Sequence, residues 1–354
     1  MKILIYSGLS DKKLISKITF LLDKKYKVFL SRKIKLNAGK VFNIQRTFKN
    51  KYVYELERLC KGISTSKKEK IDFYIGIYLF LHGFWAFLLS KIFNKPLIQI
   101  LPGSDVRYVI EKQKFIFLLK YADYVITRGK ITDNELKKLG VEKEKLYNIP
   151  NHFDFNSINY YNSEKVYDFI FIGSFVKVKR IDVLINAVAQ IKDKLPDIKI
   201  ALLGDGGLKE ELKELIDNNG IRDNFELLGY QDDVNKYISQ SKAFIMTSEY
   251  EGLPQAMIEA LAHGIPCIMP RISNIPEVAK HNYNSLLVDP LDVDGFADAI
   301  YRMMTDDELY NKLKEGAENF RAEHEYEYSL ENISRIWDEI LTKIENDPRV
   351  KGKL

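Results

Sequence analysis

The residues best equipped for chemistry lie between Ser248 and Pro266. There the chain reads Ser248-Glu249-Tyr250-Glu251-Gly252-Leu253-Pro254-Gln255-Ala256-Met257-Ile258-Glu259, then Ala260-Leu261-Ala262-His263-Gly264-Ile265-Pro266. Pro254 suits the first position of a helix and Gly264 its C-terminal stop. Leu253, Ala256, Met257, Ala260 and Leu261 make one apolar stripe, with Glu259 beside it and over Gln255. A helix starting just after Gly252 presents unpaired backbone N–H groups and a partial positive charge, which is a seat for phosphate. Glu259 is then placed to accept from both hydroxyls of a ribose, and Glu251 from the hydroxyls of a sugar. The plainer alternative has Glu251 complement the helix dipole and leaves Glu259 solvated.

A second cluster, Gly173-Ser174-Phe175-Val176-Lys177-Val178-Lys179-Arg180-Ile181-Asp182, follows a strand and opens a helix. Cations are unfavourable at a helix N-terminus, so Lys177, Lys179 and Arg180 gathered there imply a bound anion, for which a diphosphate would serve. A lysine-rich surface turn is the alternative. Gly204-Asp205-Gly206-Gly207 also links a strand to a helix, but Lys209 stands where a dinucleotide fingerprint needs its last glycine, and the N-terminal strand is followed only by Gly8. A nicotinamide enzyme is thereby disfavoured. Asp232-Asp233 reads as a helix cap, and the five histidines show no ligand spacing, so no metal site is expected. His82, beside Gly83, reads as structural or as lining a cleft.

With these residues in view, the chain resembles the retaining glycosyltransferases of family 4. Their signature is a Glu-Gly-x-Pro loop, a second Glu eight residues on, then Ala-x-Ala-x-Gly-x-Pro, matched here by Glu251, Gly252, Pro254, Glu259, Ala260, Ala262, Gly264 and Pro266. The likeness runs on through Ile275-Pro276-Glu277 and Asn284 to Val288. In the first half it rests on strand order, on Gly103-Ser104-Asp105 and on Ile149-Pro150-Asn151 with Asp154. The family has Gly-Arg where this chain has Gly173-Ser174, and a histidine where it has Pro102. Gly173 and Lys179 match, and Arg180 is the candidate to replace the missing arginine.

The resemblance implies an α/β protein of GT-B architecture, two Rossmann-like parallel-sheet domains facing across a cleft. It implies a hexosyl donor activated as a nucleotide-diphosphate sugar, no cofactor and no metal. Donor-binding residues would be Gly173, Ser174, Lys179, Arg180, Glu251, Gly252, Leu253, Pro254 and Glu259, with Glu251, Lys179 and Asp105 the catalytic candidates. Retaining transfer of the front-face kind needs no protein base, because the departing phosphate oxygen takes the acceptor proton. The acceptor would be a carbohydrate or a lipid-linked molecule, in polysaccharide, glycolipid or envelope glycan synthesis, with no nucleic-acid partner. Two other readings stay open: a nucleotide-sugar epimerase of the same fold, and a catalytically silent sugar-nucleotide-binding subunit.

These residues need two scaffolds. Strand-length apolar runs alternate with helical patterns: Lys2 to Tyr6, Lys27 to Leu30, Phe73 to Ile77, Leu97 to Leu101, Tyr124 to Thr127 and Leu146 to Ile149, then a fresh series from Asp168 to Ile172 through Ser285 to Val288. The Asn- and Ser-rich stretch from Asn151 to Ser163 reads as the linker. The expected domains are therefore 1–160 and 161–325, with 326–354 as a terminal segment. Its amphipathic helix, Ser329 to Ile344, would return to the first domain. Phe73 to Ser90 carries no Asp, Glu, Lys or Arg, yet His82-Gly83 divides it into a strand and a helix, which argues against a membrane span.

A length of 354 residues suits two ordinary cores, and 46% hydrophobic with 29% charged residues is globular composition. Residues 1–165 hold 32 Lys+Arg against 15 Asp+Glu, a surplus of 17 within a chain whose net charge is +5. That asymmetry fits an anionic membrane surface, an acidic acceptor, or merely a solvated lysine-rich face. Cys60 and Cys267 read as core thiols of a reducing compartment, and the N-terminus as a buried strand without a signal sequence. The expected location is cytoplasmic, peripheral to the inner face of the membrane.

Overall fold

The computed structural model describes residues 1–7, 14, 21, 26–31, 41–43, 51–112, 114–161 and 163–352, without the side chains of residues 51, 52, 104 and 105. The chain divides into two units, Met1–His152 with Tyr328–Leu354, and Phe153–Glu327.

The first unit holds a parallel sheet of seven strands: β1 (Lys2–Ser7), β2 (Lys27–Ser31), β3 (Val41–Asn43), β4 (Phe73–Ile77), β5 (Leu97–Ile100), β6 (Tyr124–Thr127) and β7 (Leu146–Asn148). Their order is β3-β2-β1-β4-β5-β6-β7, with Ile5 of β1 in register with Leu30 on one side and Ile75 on the other. Every residue of β4 and β5 is buried, as expected of strands covered on both faces. The short edge strand β3, with Phe42 half exposed, has no apolar run to announce it in the sequence.

The terminal helix Leu330–Asn346 belongs to this unit. Ile333, Trp337, Ile340, Leu341 and Ile344 join Ile3, Ile5, Ile98 and Ile126 in one core cluster. Ser329 caps the helix through the Asn332 N–H at 3.1 Å, and Arg349 beyond it grips Asp123 at 2.5 Å.

The second unit carries β8 (Tyr167–Ile172), β9 (Ile200–Leu203), β10 (Phe225–Gly229), β11 (Ser241–Ile245), β12 (Cys267–Pro270) and β13 (Ser285–Val288), all parallel, in the order β10-β9-β8-β11-β12-β13. It begins at Phe153, earlier than the polar composition of the linker suggests. Phe155 is buried, edge-on to Phe153 at 4.8 Å and against Phe320 at 6.1 Å, and the Tyr160 hydroxyl donates to the Ala262 carbonyl at 3.0 Å. The stretch is thus anchored on the second core.

One expectation needs adjusting. Cys60 is exposed: on the helix Lys51–Glu69 the buried face carries Tyr54, Glu57, Arg58 and Ser66, and Cys60 lies off it. Cys267 is fully buried, which pushes its thiol pKa up. The apolar stretch after Ile71 resolves, as expected, into a strand and a helix: β4, a kinked turn Leu79–Gly83 and the ten-residue helix Phe84–Phe93. Among the described residues no helix is long and apolar enough to cross a membrane.

Candidate active site

In an open α/β sheet, loops diverge where the strand order reverses, and ligands bind beyond the carboxyl ends of the strands at that point. In the second unit the reversal lies between β8 and β11, so the loops Gly173–Arg180 and Met246–Pro254 border it.

The two loops are stitched together by groups sealed from water. Thr247 and Ser248 are fully buried just past β11. The Thr247 hydroxyl donates to the Arg180 carbonyl at 2.8 Å, and the Glu249 N–H donates to the Val178 carbonyl at 2.9 Å. On that frame the Lys179 ammonium donates to Glu251 Oε1, which also accepts from Ser248 Oγ at 3.1 Å. Lys179 and Glu251 keep only 18% and 17% of their side-chain surface exposed. A lysine and a glutamate distant in sequence thus form one half-desolvated pair at the reversal point.

Behind Glu251 the backbone turns through Gly252, whose carbonyl accepts from Asn274 Nδ2 at 3.3 Å. The helix Gln255–Ala262 follows. Pro254 is its N-cap rather than its first helical residue, since its ψ of 124° is extended. No side chain caps this end, which leaves the first N–H groups and the positive end of the dipole available to an anion. Met257, Ile258, Ala260, Leu261 and Ala262 are buried, whereas Leu253, Ala256 and Glu259 are partly exposed.

Gly173 follows β8. A Cβ there would stand 3.3 Å from the Phe171 ring and 3.5 Å from Lys179 Cε, so bare backbone lies beside the lysine stem. The loop at Gly204 presses directly on it. Gly204 has φ of 146°, and a Cβ would come within 1.8 Å of the Gly173 carbonyl oxygen, while one at Gly206 would meet the Phe175 oxygen at 2.4 Å. The Phe175 N–H donates to the Asp205 carbonyl at 2.9 Å. Tight packing is what these glycines do.

The cation cluster is divided. Lys179 turns to Glu251, but Arg180, with φ of 48°, is held by Asp182 through bonds of 2.7 and 3.0 Å. Lys177 and Ser174 are exposed. Asp105 is the second residue of the helix Ser104–Lys112 in the first unit, and its side chain lies outside the described residues. The second unit therefore brings together Gly173, Lys179, Glu251 and Gly252, and adds Thr247, Ser248 and Asn274, which sequence reading passed over. Two polar residues ending the buried run of β11 were the available signal.

Comparison with known proteins bears on the fold. The family described as "Glycosyl transferases group 1" matches residues 154–320. N-acetyl-alpha-D-glucosaminyl L-malate synthase of Bacillus anthracis is 26% identical over 329 residues, covering 87% of this chain and 84% of that one. Among solved structures, sucrose-phosphate synthase of Thermosynechococcus elongatus superposes with a TM-score of 0.80 at 18% identity, covering 98% of this chain and 99% of that one. HepE of Anabaena in complex with UDP gives 0.75 at 18%, covering 97% and 100%. These likenesses establish the fold as two Rossmann-like parallel-sheet units of the GT-B kind.

Proposed function

We propose that the chain is a glycosyltransferase of the group 1 kind, which its match over residues 154–320 supports, and that it moves a sugar from a nucleotide-diphosphate donor to an acceptor hydroxyl in glycan synthesis, with retention of anomeric configuration. The Lys179–Glu251 pair beside an uncapped helix N-terminus carries this reading.

In the proposed donor complex the diphosphate lies over the N–H groups that open the helix Gln255–Ala262, against the bare backbone of Gly173. Lys179 exchanges part of its bond to Glu251 for a phosphate oxygen. Glu251, still oriented by Ser248, accepts from hydroxyls of the sugar, and Glu259 accepts from the ribose. As the bond from the anomeric carbon to the phosphate oxygen breaks, Lys179 and the helix dipole offset the charge on the leaving diphosphate. The acceptor oxygen bonds to the same face of that carbon, and its proton passes to the departing phosphate oxygen, so no protein base is required. Arg180 enters only if it releases Asp182, and Asp105 would orient the acceptor or the donor.

UDP is the first nucleotide to try, because the Anabaena relative was solved with it. The surplus of cations in residues 1–165 supports attachment of the first unit to an anionic membrane carrying a lipid-linked acceptor. A thermal-shift comparison of nucleoside diphosphates tests the donor reading: a ligand at 100 times its Kd adds about 2.7 kcal/mol. Absence of any shift with all of them would remove it.

A further inference from the structure

The first unit has its own reversal point, between β1 and β4, and a cavity of about 810 Å³ opens beyond the carboxyl end of β4. Its wall is the turn Tyr78–His82 together with Tyr108, Val109, Lys112, Lys114 and Phe115. The turn is pinned from below. Gln99 Nε2 donates to the Gly83 carbonyl at 2.9 Å, and a Cβ on Gly76 would meet Gly83 Cα at 2.6 Å. Three non-glycine residues of the lining hold left-handed backbone, Tyr78 at φ 70°, Leu81 at 59° and Phe115 at 63°. Such conformations persist where packing over-determines them, and they gather at binding sites.

The lining is aromatic, and the aromatic surface continues outward. Phe80 meets Phe115 at 5.6 Å, Phe115 meets Phe117 at 6.5 Å, Phe117 meets Phe87 at 5.8 Å, and Phe87 meets Tyr121 at 6.3 Å. Phe80 and Tyr121 are about 60% exposed. Along this ridge stand Lys112 and Lys114 at the cavity and Lys91 over the Tyr121 ring at 5.0 Å, none paired with a carboxylate among the described residues. The nearby carboxylate Glu111 is taken by Arg107 at 2.8 Å. His82 supplies a neutral donor: its Nδ1 faces Arg58 Nη2 at 3.0 Å, and since the guanidinium can only donate, the ring proton sits on Nε2.

An apolar track ending at two uncompensated cations beside a neutral N–H complements one kind of molecule. We infer that the cavity and ridge bind an amphiphile in which an apolar chain is joined to a phosphate, as the carrier of the acceptor hydroxyl. The chain lies along Phe80, Phe117 and Tyr121, and the phosphate meets Lys112 and Lys114. This rests on the transfer reading for the role of the ligand, but its binding is measurable without any donor.

The test is titration of the whole protein with monomeric dodecyl phosphate, dodecyl glucoside and inorganic phosphate, with UDP titrated in parallel. Dodecyl phosphate should bind at least about tenfold tighter than either of the others, and its affinity should fall as salt rises. Lys112→Gln with Lys114→Gln should weaken dodecyl phosphate about fivefold or more and leave dodecyl glucoside unchanged. Phe80→Ser with Phe117→Ser, both exposed positions, should weaken both amphiphiles. UDP affinity should be the same in all variants, which certifies the second unit, and the wild-type urea-unfolding profile should be kept, which certifies the first. Equal binding of dodecyl phosphate and dodecyl glucoside, or of dodecyl phosphate and inorganic phosphate, overturns the inference, as does indifference to the lysine pair. Failure of UDP alone would count against the donor reading and not against this one.

Discussion

The Lys179 ammonium rests on the Glu251 carboxylate, and the same carboxylate oxygen accepts the Ser248 hydroxyl at 3.1 Å. The residue proposed to meet the diphosphate and the residue proposed to meet the sugar thus hold each other in place. Preorganisation of this kind lowers the cost of ordering long side chains when the donor arrives.

Lys179→Ala should therefore separate phosphate recognition from nucleoside recognition. The Kd for a nucleoside diphosphate should rise about tenfold or more, because a charge-assisted bond to phosphate is lost, while that for the free nucleoside should stay within about twofold. Calorimetric titration of both ligands reads this directly. Equal losses would mean that the substitution disturbed the site as a whole.

Gly204→Ala tests the packing beneath the site. Its Cβ would overlap the Gly173 carbonyl at 1.8 Å, at a φ that side chains rarely adopt. A loss of about 2 kcal/mol or more in urea unfolding of the second unit is expected, together with weaker donor binding. An alanine variant of unchanged stability would show that the contact is not as close as described.

His82 makes a pH prediction for the first unit. Burial, with Arg58 beside it, lowers its pKa from 6.5 to about 3. Between these values the unfolded chain binds a proton that the folded ring refuses, so the contribution to stability is complete above about pH 6.5 and is lost as the pH falls toward 3. The slope from this group is at most about 1.4 kcal/mol per pH unit. Subtracting the stability profile of His82→Gln from that of the wild type should leave this acid limb, and parallel profiles would contradict a buried neutral ring.

Membrane attachment should follow charge. Lys67 and Lys68, exposed at the end of the helix Lys51–Glu69, and Lys70 after it, are described candidates, whereas Lys12, Lys13, Lys17, Lys24 and Lys25 lie outside the described residues. Co-sedimentation with anionic vesicles should occur at low salt, decline as salt rises and vanish with neutral lipid, since each basic residue at such a surface contributes about 1 kcal/mol. A protein that ignores anionic vesicles at low salt leaves the cation surplus to a soluble partner or to solvation.

The parallel sheets could be read from the sequence because strands buried on both faces must be continuous apolar runs, as β4 and β13 are. Edge strand β3 could not, since three half-exposed residues leave no such trace. In the site, Glu251, Gly252 and Glu259 stood out through their spacing on a strand, loop and helix. Their supports did not. Thr247, Ser248 and Asn274 act through contacts between segments far apart in sequence, and the partners chosen by Lys179 and Arg180 depend on where Glu251 and Asp182 come to lie. His82 shows the same limit: a lone histidine acquires meaning only when Arg58 is found against it.

The most direct test of the account is the rate at which purified protein, given UDP-sugars and an acceptor extract, releases UDP and forms a glycosylated product, compared between wild type, Glu251→Gln and Glu259→Gln. The account predicts measurable transfer by the wild type with the anomeric configuration of the donor kept. For Glu251→Gln it predicts a turnover lower by about 100-fold, and for Glu259→Gln a weaker affinity for the donor, with both variants folded. Wild-type kinetics in both variants, or an epimerised nucleotide sugar formed without release of UDP, would contradict it.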